Sequence, residues 1–319
     1  MIRILANDGI HPDGKAMLEA AGFQVDTEKV PQEQLPEVLP AYDAIIVRSA
    51  TKVRRELIDA CPNLKVIARA GVGLDNIDVD YAREKGIAVF NTPGASSRAV
   101  AELVFGHLFA LARMLHLSNR EMPEKGDTAF KELKKKYSKG IQLGGKTLGI
   151  VGFGRIGQEV ARMGLGLGMQ VLAADLVVDQ AEIEVPVAGL DTSPVVTIRT
   201  VPLDEVLAQS DFISLHVPFT GKPLIDAAAF AKMKDGVFVV NAARGGAIDE
   251  EALLEALASG KVAGAGLDVF ENEPTPRRAL LEHPQVSVSP HIGGSTQEAQ
   301  SLIGRELAEQ IIAFFKGQG

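Results

Sequence analysis

The feature that most constrains this chain is a glycine-rich turn at residues 152–157, with the sequence GFGRIG. An apolar, strand-like run at residues 148–151 leads into the turn, and a helix-like segment follows it. At such a junction Gly152 permits a tight turn, Gly154 lets a ligand approach the backbone, and Gly157 allows the helix to pack closely on the strand. The free N–H groups at the start of the helix also attract anions. The turn therefore predicts a nucleotide-binding βα unit, although a glycine pattern alone is a weak signal.

Asp175 strengthens this interpretation because it ends the next strand-like segment, residues 170–174. A carboxylate at this place can accept hydrogen bonds from both hydroxyls of an adenosine ribose, and it would repel a 2′-phosphate. We therefore predict NAD rather than NADP as the cofactor. The alternative is that the glycines serve only a tight turn. The strand, the helix and Asp175 together favour the cofactor interpretation.

Strand-like and helix-like segments alternate through the first hundred residues, with Gly or Pro at the joints. A long helix is predicted at residues 97–113, and a polar, lysine-rich stretch at 118–142 interrupts the pattern. A second alternating series begins at Thr147, and a last helix is predicted at 296–315. This alternation is typical of parallel sheets covered by helices on both faces. We expect an α/β fold with two doubly wound units, the second inserted into the first if the last helix returns to it.

Composition limits the classes of function. A chain of 319 residues with 46% hydrophobic and 23% charged residues fits two soluble domains of ordinary size. No apolar run approaches the roughly 20 residues of a membrane span, and the N-terminus has no signal-peptide layout. The net charge of −8 argues against non-specific binding to nucleic acid. The single cysteine, Cys61, excludes an intramolecular disulfide, and we interpret it as a buried structural thiol rather than a nucleophile. We expect a cytoplasmic protein that binds neither nucleic acid nor a membrane and holds no metal.

Three polar residues follow strand-like segments of the second series: Arg244, Glu273 and His291. Open α/β sheets bind ligands where their strands end, and a guanidinium can hold a carboxylate through two parallel hydrogen bonds. Histidine and a carboxylate are residue types that form acid/base pairs. Each residue also has a structural explanation, as an ion-pair arginine, a satisfied structural histidine and a loop glutamate before proline. The residues alone predict a dinucleotide enzyme with suitable acid–base groups.

At its motifs the chain resembles the D-2-hydroxyacid dehydrogenase family over nearly its full length. Besides the glycine turn, the resemblance rests on RAGVGLDN at 69–76, NTPG at 91–94, LHVP at 215–218, NAARGG at 241–246, GLDVFENEP at 266–274 and SPHIGGS at 289–295. Within the family the chain is most similar to short D-3-phosphoglycerate dehydrogenases, through VRSATKV at 47–53 and the run at 69–76. The ordered set excludes a chance match.

The resemblance implies a Rossmann-type NAD domain, residues 99–289, inserted into a flavodoxin-like substrate-binding domain made of residues 1–98 and 290–319. It also implies a homodimer formed through the NAD domain, with the helix at 99–113 and the following arm as the interface. In that arrangement Lys134–Lys136 could reach the partner's active site and help to hold a phosphate. Because the chain stops soon after its last helix, we expect no C-terminal regulatory domain and no serine feedback through one.

The resemblance also implies roles for individual residues. Arg244 would clamp the substrate carboxylate, His291 would act as general acid/base, and Glu273 would orient His291 and stabilise its imidazolium. Asp268 would hold the nicotinamide carboxamide. Further cofactor contacts are implied at Thr92, Arg155, Ile156, His216, Pro218, Ala242 and Gly293. Substrate contacts are implied at Arg48, Ser49, Arg69, Gly71, Val72 and Ser96.

The implied reaction is NAD-dependent oxidation of 3-phospho-D-glycerate to 3-phosphooxypyruvate, the entry to serine synthesis. Arg48, Ser49 and Arg69 would receive the phosphate. Ser96 departs from the pattern, because phosphoglycerate members often place Asn there, and this departure leaves the 3-substituent open. The alternatives are a glyoxylate or hydroxypyruvate reductase, which needs no phosphate site, another D-2-hydroxyacid dehydrogenase, and an NAD-sensing corepressor on the same fold.

Overall fold

The computed structural model describes residues 1–317 of the chain. The strands are β1 (Arg3–Ala6), β2 (Gln24–Asp26), β3 (Ala44–Val47), β4 (Val66–Arg69), β5 (Ala88–Asn91), β6 (Thr147–Val151), β7 (Gln170–Ala174), β8 (Gln180–Glu184), β9 (Val195–Arg199), β10 (Phe212–Leu215), β11 (Val237–Asn241), β12 (Val262–Leu267) and β13 (Val286–Val288). The α-helices are α1 (Pro12–Ala20), α2 (Leu35–Val38), α3 (Arg55–Ala60), α4 (Val79–Glu84), α5 (Ser97–Ala112), α6 (Leu115–Lys125), α7 (Phe130–Lys136), α8 (Arg155–Gly166), α9 (Leu203–Gln209), α10 (Ala227–Lys232), α11 (Glu250–Ala258), α12 (Arg278–Leu281) and α13 (Gln297–Phe315).

The described chain forms two compact units. One contains residues 1–97 together with the segment that begins at Gly294, and the other is Arg98–Gly293. The second unit is thus inserted in the sequence of the first. Residues 290–293, which the sequence-based boundary places in the first domain, lie in the second unit. The reason is local: the Asp268 carboxylate accepts hydrogen bonds from the backbone N–H groups of Ile292 and Gly293.

The first unit is built on a five-stranded parallel sheet in the order β2-β1-β3-β4-β5. All four residues of β3, Ala-Ile-Ile-Val, are buried, as expected for a strand covered on both faces. The strand order reverses direction between β1 and β3, which creates a crevice at their carboxyl ends. The loops that follow these two strands, carrying Asp8 and Arg48, therefore border the crevice.

The last helix, α13, packs on α1 within the first unit through two glycines. A Cβ atom added to Gly14 would lie 2.3 Å from the carbonyl oxygen of Gly304, so the two backbones touch. Leu307 and Ile311 of α13 are fully buried in the same core. Burying such side chains contributes about 1.5–3 kcal/mol each. These contacts join the last helix to the N-terminal sheet.

The second unit is built on a six-stranded parallel sheet in the order β13-β12-β11-β10-β6-β7. Its strand order reverses between β6 and β10, so the glycine turn after β6 lies at this reversal. The predicted fold class, α/β with two doubly wound parallel sheets, is confirmed.

Two parts of the second unit add elements to its alternation of strands and helices. The polar stretch at 118–142 contains most of α6 and all of α7, because its lysines and glutamates are good helix formers even without a strong apolar face. Between β7 and α9 the chain forms an antiparallel ribbon, β8 paired with β9, that the prediction omits. Only Ile183 and Ile198 of the ribbon are buried, so its apolar pattern is weak.

No single helix within residues 1–317 has both the length and the apolar composition to cross a membrane. Helices α5 and α6 meet those two criteria only when they are taken together across a 60° bend.

Candidate active site and cofactor-binding site

The glycine turn has the geometry that a bound pyrophosphate requires. Gly152 has a φ of 95°, and a Cβ atom there would lie 2.6 Å from the His216 carbonyl oxygen. A Cβ on Gly157 would lie 2.2 Å from the Gly152 oxygen, so neither glycine can be replaced without moving the backbone. A Cβ on Gly154, the N-cap of α8, would meet no atom within 4 Å. The space above Gly154, next to the free N–H groups of a helix start, fits the diphosphate of a dinucleotide.

Asp175 is fixed at the end of β7 by backbone N–H groups. Its Oδ2 accepts a hydrogen bond from Phe153 N at 2.6 Å, and Oδ1 accepts from Val177 N at 2.8 Å and Val178 N at 3.0 Å. Burial alone would raise the pKa of this carboxyl, but the hydrogen bonds from these N–H groups outweigh it and lower the pKa. The carboxylate is therefore an oriented acceptor beside the glycine turn, as recognition of ribose hydroxyls requires.

Two residues predicted to contact the cofactor carry buried polar atoms that lack a partner within residues 1–317. In the second unit, His216 bonds to Ser214 Oγ at 2.9 Å through Nε2, while Nδ1 is buried and unpaired. Burial lowers the pKa of His216 to about 3, so the ring is neutral at physiological pH. In the first unit, Thr92 is fully buried and its Oγ1 is unpaired. Unpaired buried polar atoms are rare in folded proteins and are common where a ligand completes the site.

The loop that carries Arg244 is shaped by Asn241 and Gly245. Asn241 Nδ2 donates to Arg244 O at 2.9 Å, and Asn241 Oδ1 accepts from Ala243 N at 3.1 Å. A Cβ on Gly245 would lie 1.8 Å from the Phe270 carbonyl oxygen, so only glycine allows this loop to lie against the next one. Since residue 270 begins the segment that leads to Glu273, the loop that carries Arg244 packs directly against the loop that carries Glu273.

His291 and Glu273 form a hydrogen-bonded pair in the second unit. His291 Nδ1 lies 2.8 Å from Glu273 Oε2, and Glu273 Oε1 accepts from Phe270 N at 3.0 Å. With Glu273 ionised, the proton of a neutral His291 is on Nδ1, and Nε2 is left as the base. The His291 side chain is 46% exposed, so this nitrogen is accessible. The fold thus brings together two residues that are far apart in sequence in the arrangement of an acid/base pair.

Asp268 holds the loop on which His291 lies. Its Oδ1 accepts from Ser289 Oγ at 2.6 Å and from Ile292 N at 2.8 Å, and its Oδ2 accepts from Gly293 N at 2.8 Å. His291 has a φ of 55°, in the left-handed region that non-glycine residues seldom occupy. Such a conformation persists only where surrounding contacts impose it. Asp268 supplies those contacts. This structural role comes in addition to the role at the carboxamide that the resemblance implies.

In the first unit, the loop with Arg48 and Ser49 is organised by Asp8. Asp8 Oδ2 accepts from Arg48 N at 2.7 Å and from Thr51 N at 3.0 Å, and Asn76 Nδ2 donates to Arg48 O at 2.8 Å. Within residues 1–317 the Arg48 guanidinium forms no hydrogen bond or ion pair, and Ser49 is exposed. A fixed backbone therefore presents an uncommitted cation at the strand reversal.

The other predicted substrate residues of the first unit occupy two different settings. The Arg69 guanidinium covers Gly71, where a Cβ would lie 1.6 Å from Nη1, and Asn91 Nδ2 donates to the carbonyl oxygen of Val72 at 2.7 Å. Ser96 is only 4% exposed and lies against Gly294. Ser96 is therefore a buried residue rather than a surface one.

Sequence reasoning missed the residues that position these groups. Asn241 is the last residue of β11, and Asp8 lies two residues beyond the end of β1. These positions at the binding edge of each sheet were the available signal. The pairing of Glu250 with the Glu271 backbone had no such signal: Glu271 N donates to Glu250 Oε1 at 2.9 Å, and Glu250 N donates to Glu271 Oε1 at 3.2 Å. Burial raises the pKa of the Glu250 carboxyl, and the Glu271 charge adds to that effect.

Comparison with known proteins places this geometry in a family. Residues 105–293 match the family described as "D-isomer specific 2-hydroxyacid dehydrogenase, NAD binding domain". The chain is 47% identical over 317 residues to a hydroxypyruvate reductase from Thermotoga maritima, covering 97% of each protein. It is 42% identical over 320 residues to a D-3-phosphoglycerate dehydrogenase from Archaeoglobus fulgidus, covering 99% of this chain and 58% of that protein. The crystal structure of a glyoxylate reductase from Paecilomyes thermophila superposes with a TM-score of 0.83 at 34% identity, covering 98% of this chain and 94% of that one.

The chain belongs to the D-2-hydroxyacid dehydrogenase family, and the predicted family and cofactor are confirmed. It is an NAD-dependent D-2-hydroxyacid dehydrogenase. The chain spans little more than half of the Archaeoglobus relative, at 58% of its length. The named relatives act on different acids, so membership of the family leaves the choice of hydroxy acid to the residues of the site.

Proposed function

We propose that this dehydrogenase oxidises 3-phospho-D-glycerate to 3-phosphooxypyruvate. The observation that carries the choice of substrate is Arg48, whose guanidinium has no partner within residues 1–317 although Asp8 and Asn76 hold its backbone in place. A guanidinium binds a phosphate through charge-assisted hydrogen bonds, which are stronger than neutral ones. Ser49, exposed beside it, adds a hydroxyl donor, and Arg69 supplies a second guanidinium in the same unit. Gly71 and Val72 would border the substrate carboxylate.

The proposed mechanism assigns the proton to His291. Arg244 holds the substrate carboxylate, and His291 Nε2 takes the proton of the 2-hydroxyl group. Glu273, which is 2.8 Å from His291 Nδ1, stabilises the imidazolium that forms and fixes the ring orientation. NAD, held by the residues named below, would supply the acceptor for the hydride of carbon 2. In the reverse direction His291 returns the proton to the oxygen of the 2-oxo acid.

The proposed cofactor contacts follow the fit described above. The glycine turn and Arg155 would bind the diphosphate, and Asp175 would bind the adenosine ribose and select NAD over NADP. Asp268 Oδ2 accepts one hydrogen bond and has capacity for another, from the carboxamide. The remaining proposed contacts are Thr92, Ile156, His216, Pro218, Ala242 and Gly293.

A second candidate function is reduction of hydroxypyruvate or glyoxylate. The burial of Ser96 favours it, because a residue that is only 4% exposed offers little to a phosphate. The identity of 47% to the hydroxypyruvate reductase from Thermotoga maritima favours it as well. Both functions use the same acid/base pair and the same carboxylate clamp; they differ in the direction of hydride transfer and in whether the substrate carries a phosphate at carbon 3.

The Arg48→Ala variant separates the two functions. Loss of a charge-assisted contact should lower kcat/KM for 3-phospho-D-glycerate by about 10- to 100-fold, since such hydrogen bonds contribute about 1.5–3 kcal/mol. The value for D-glycerate should change little. Lys52→Ala, which removes an exposed cation from the same loop, is the matched control and should leave both values near wild type. Equal losses for both substrates in Arg48→Ala would overturn the phosphate assignment.

We further propose a homodimer formed through the NAD domain. Helices α5, α6 and α7 leave large apolar side chains exposed at Phe109, Leu115, Met122 and Phe130, and a homodimer would cover them. Light scattering on the purified protein tests this assembly; a monomer at micromolar concentration would contradict it.

The lysine cluster allows a narrower test of the same assembly. Lys136 donates to Glu121 within the chain at 2.6 Å, so Lys134 and Lys135 are the better candidates to reach a partner's substrate. Charge reversal at both should raise KM for 3-phospho-D-glycerate. An unchanged KM would remove the proposed role of the cluster.

A further inference from the structure

A buried histidine that the proposed mechanism does not use lies on α5. His107 is 4% exposed, and each of its ring nitrogens contacts one serine: Nδ1 is 2.9 Å from Ser287 Oγ, and Nε2 is 3.0 Å from Ser289 Oγ. The two serines are separated by one residue at the end of β13, so their side chains point to the same face of the sheet. Both ring nitrogens of His107 are therefore fixed by one strand.

The sheet leaves room for this ring at one glycine. A Cβ on Gly266, in β12, would lie 2.7 Å from His107 Cβ and 3.0 Å from its Cγ. Any side chain at position 266 would push the imidazole away from the serines. The absence of a side chain at Gly266 thus provides the space that His107 occupies.

The hydrogen bonds around His107 have one direction. Ser289 Oγ donates its single proton to Asp268 Oδ1 at 2.6 Å, so it can receive a hydrogen bond from His107 only if Nε2 carries a proton. Burial lowers the pKa of His107; the Asp268 charge opposes this effect and His116 adds to it. The ring is therefore neutral, and Nδ1 accepts from the Ser287 hydroxyl. Ser287 thus donates a hydrogen bond to His107, His107 donates one to Ser289, and Ser289 donates one to Asp268.

This chain of hydrogen bonds ends at the loop of the acid/base histidine. Asp268 binds the backbone N–H groups of Ile292 and Gly293 on one side of His291, and its carbonyl oxygen accepts from His291 N at 2.8 Å. These contacts impose the left-handed φ of 55° at His291. If Ser289 turned away from Asp268, the carboxylate would lose the hydrogen bond that it accepts from Ser289. The carboxylate would then hold the His291 loop less firmly.

We infer that His107 is a positioning residue for this dehydrogenase, holding the His291 loop through Ser289 and Asp268. The inference rests on the proposed acid/base role of His291. It does not depend on whether the substrate carries a phosphate, because the loop serves any 2-hydroxy acid.

The test begins with His107→Leu and its conservative counterpart His107→Gln. His107→Leu removes the donor to Ser289, and small misplacements of a catalytic group reduce turnover by up to about 100-fold. We expect kcat to fall by about 10- to 100-fold while the KM for the hydroxy acid and the dissociation constant of NADH stay near wild type. His107→Gln places an amide N–H near the position of Nε2 and should recover most of kcat.

Ser287 and Ser289 provide a matched pair of controls. Both contact the same ring from the same strand, but only Ser289 continues to Asp268. Both variants should lower thermal stability by a similar amount, because each removes one contact of His107. Ser289→Ala should also lower kcat, whereas Ser287→Ala should leave kcat near wild type. The double variant His107→Leu/Ser289→Ala should be no slower than the slower single variant, because both changes break one chain of contacts.

Equal kcat values for Ser287→Ala and Ser289→Ala would overturn the inference, as would full kcat in His107→Leu. If His107→Leu fails to fold, the two serine variants still decide the question. A fully active His291→Gln variant would instead contradict the proposed function. Full activity of His107→Leu beside an inactive His291→Gln would contradict this inference alone.

Discussion

Two loops of the molecule, one in each unit, are each held by an aspartate that accepts hydrogen bonds from the loop backbone. The two aspartates differ in their surroundings. In the first unit Asp8, after β1, binds the backbone of the Arg48 loop; in the second, Asp268, after β12, binds the backbone of the His291 loop. Asp268 is buried and the Asp8 side chain is 4% exposed, yet Asp8 is 3.7 Å from the exposed Lys29, while Asp268 is connected to the buried His107. The loop that handles the proton is anchored in a core, and the loop proposed to select the substrate borders solvent. Chemistry and selectivity should therefore respond differently to substitution.

The largest expected effect is on the acid/base group. His291→Gln should lower kcat by about 100- to 10,000-fold, the usual contribution of a positioned acid/base group. NADH affinity, measured by fluorescence titration, should be unchanged. His283→Gln, in the turn before β13, is the control and should keep wild-type turnover. Retention of kcat in His291→Gln would mean that another group moves the proton.

The second prediction compares the two aspartates directly. An Asn side chain accepts at one end only. In Asp268→Asn one backbone N–H, of Ile292 or of Gly293, would therefore face an NH2 group. In Asp8→Asn the NH2 group would replace the oxygen that accepts from Thr51 Oγ1, and the negative charge beside Lys29 would be lost. Asp268→Asn should lower kcat by about 100-fold because it releases His291. Asp8→Asn should instead raise KM for 3-phospho-D-glycerate by about 10-fold, with kcat nearly unchanged. Steady-state kinetics on both variants measures these changes. If kcat fell in both, or KM rose in both, the proposed difference between the two loops would be contradicted.

The third prediction uses pH to separate the units. The second unit contains His216, with a pKa lowered to about 3 by burial, and His107, whose pKa burial also lowers. Between about pH 6.5 and pH 3 the unfolded chain binds protons at these positions that the native chain does not. Stability should therefore fall as the pH falls through this window, by about 2 kcal/mol at pH 5 from His216 alone.

Denaturant unfolding at pH 7 and pH 5 measures this loss, and His216→Gln should reduce it. Within residues 1–317 the first unit contains no buried histidine, so its protection from hydrogen exchange should change little over the same range. Equal loss of protection in both units would contradict the assignment to the buried histidines.

The smallest expected effect is at Cys61 of the first unit. The thiol is 1% exposed, and burial raises its pKa to about 11, so it should react negligibly with a thiol reagent at pH 8 in the native protein. Addition of denaturant should expose it. Rapid labelling of the native protein would show that the first unit opens more readily than its packing suggests.

Sequence patterns predicted most of the elements that position the site. Buried runs such as Val237–Asn241 and the glycine turn are local signals, and they placed Arg244, Asp175 and Gly154 at strand or helix ends. The ribbon of β8 and β9 was missed because most of its side chains are exposed and its apolar alternation is weak. The His107–Ser289–Asp268 contacts could not be predicted, because they join residues from three segments that only the sheet order brings together. The same reason applies to the Glu273–His291 pair: their positions after strands singled them out and the resemblance implied their roles, but their contact depends on the fold.

The central claim, that Arg48 adapts a D-2-hydroxyacid dehydrogenase to a phosphorylated substrate, is tested most directly by one comparison of rates. NADH formation is followed by absorbance with 3-phospho-D-glycerate and with D-glycerate, and kcat/KM is determined for each. The proposed phosphate contact predicts a preference of about 10- to 100-fold for the phosphorylated acid. An equal or higher kcat/KM for D-glycerate would contradict the claim and would favour the hydroxypyruvate reductase function.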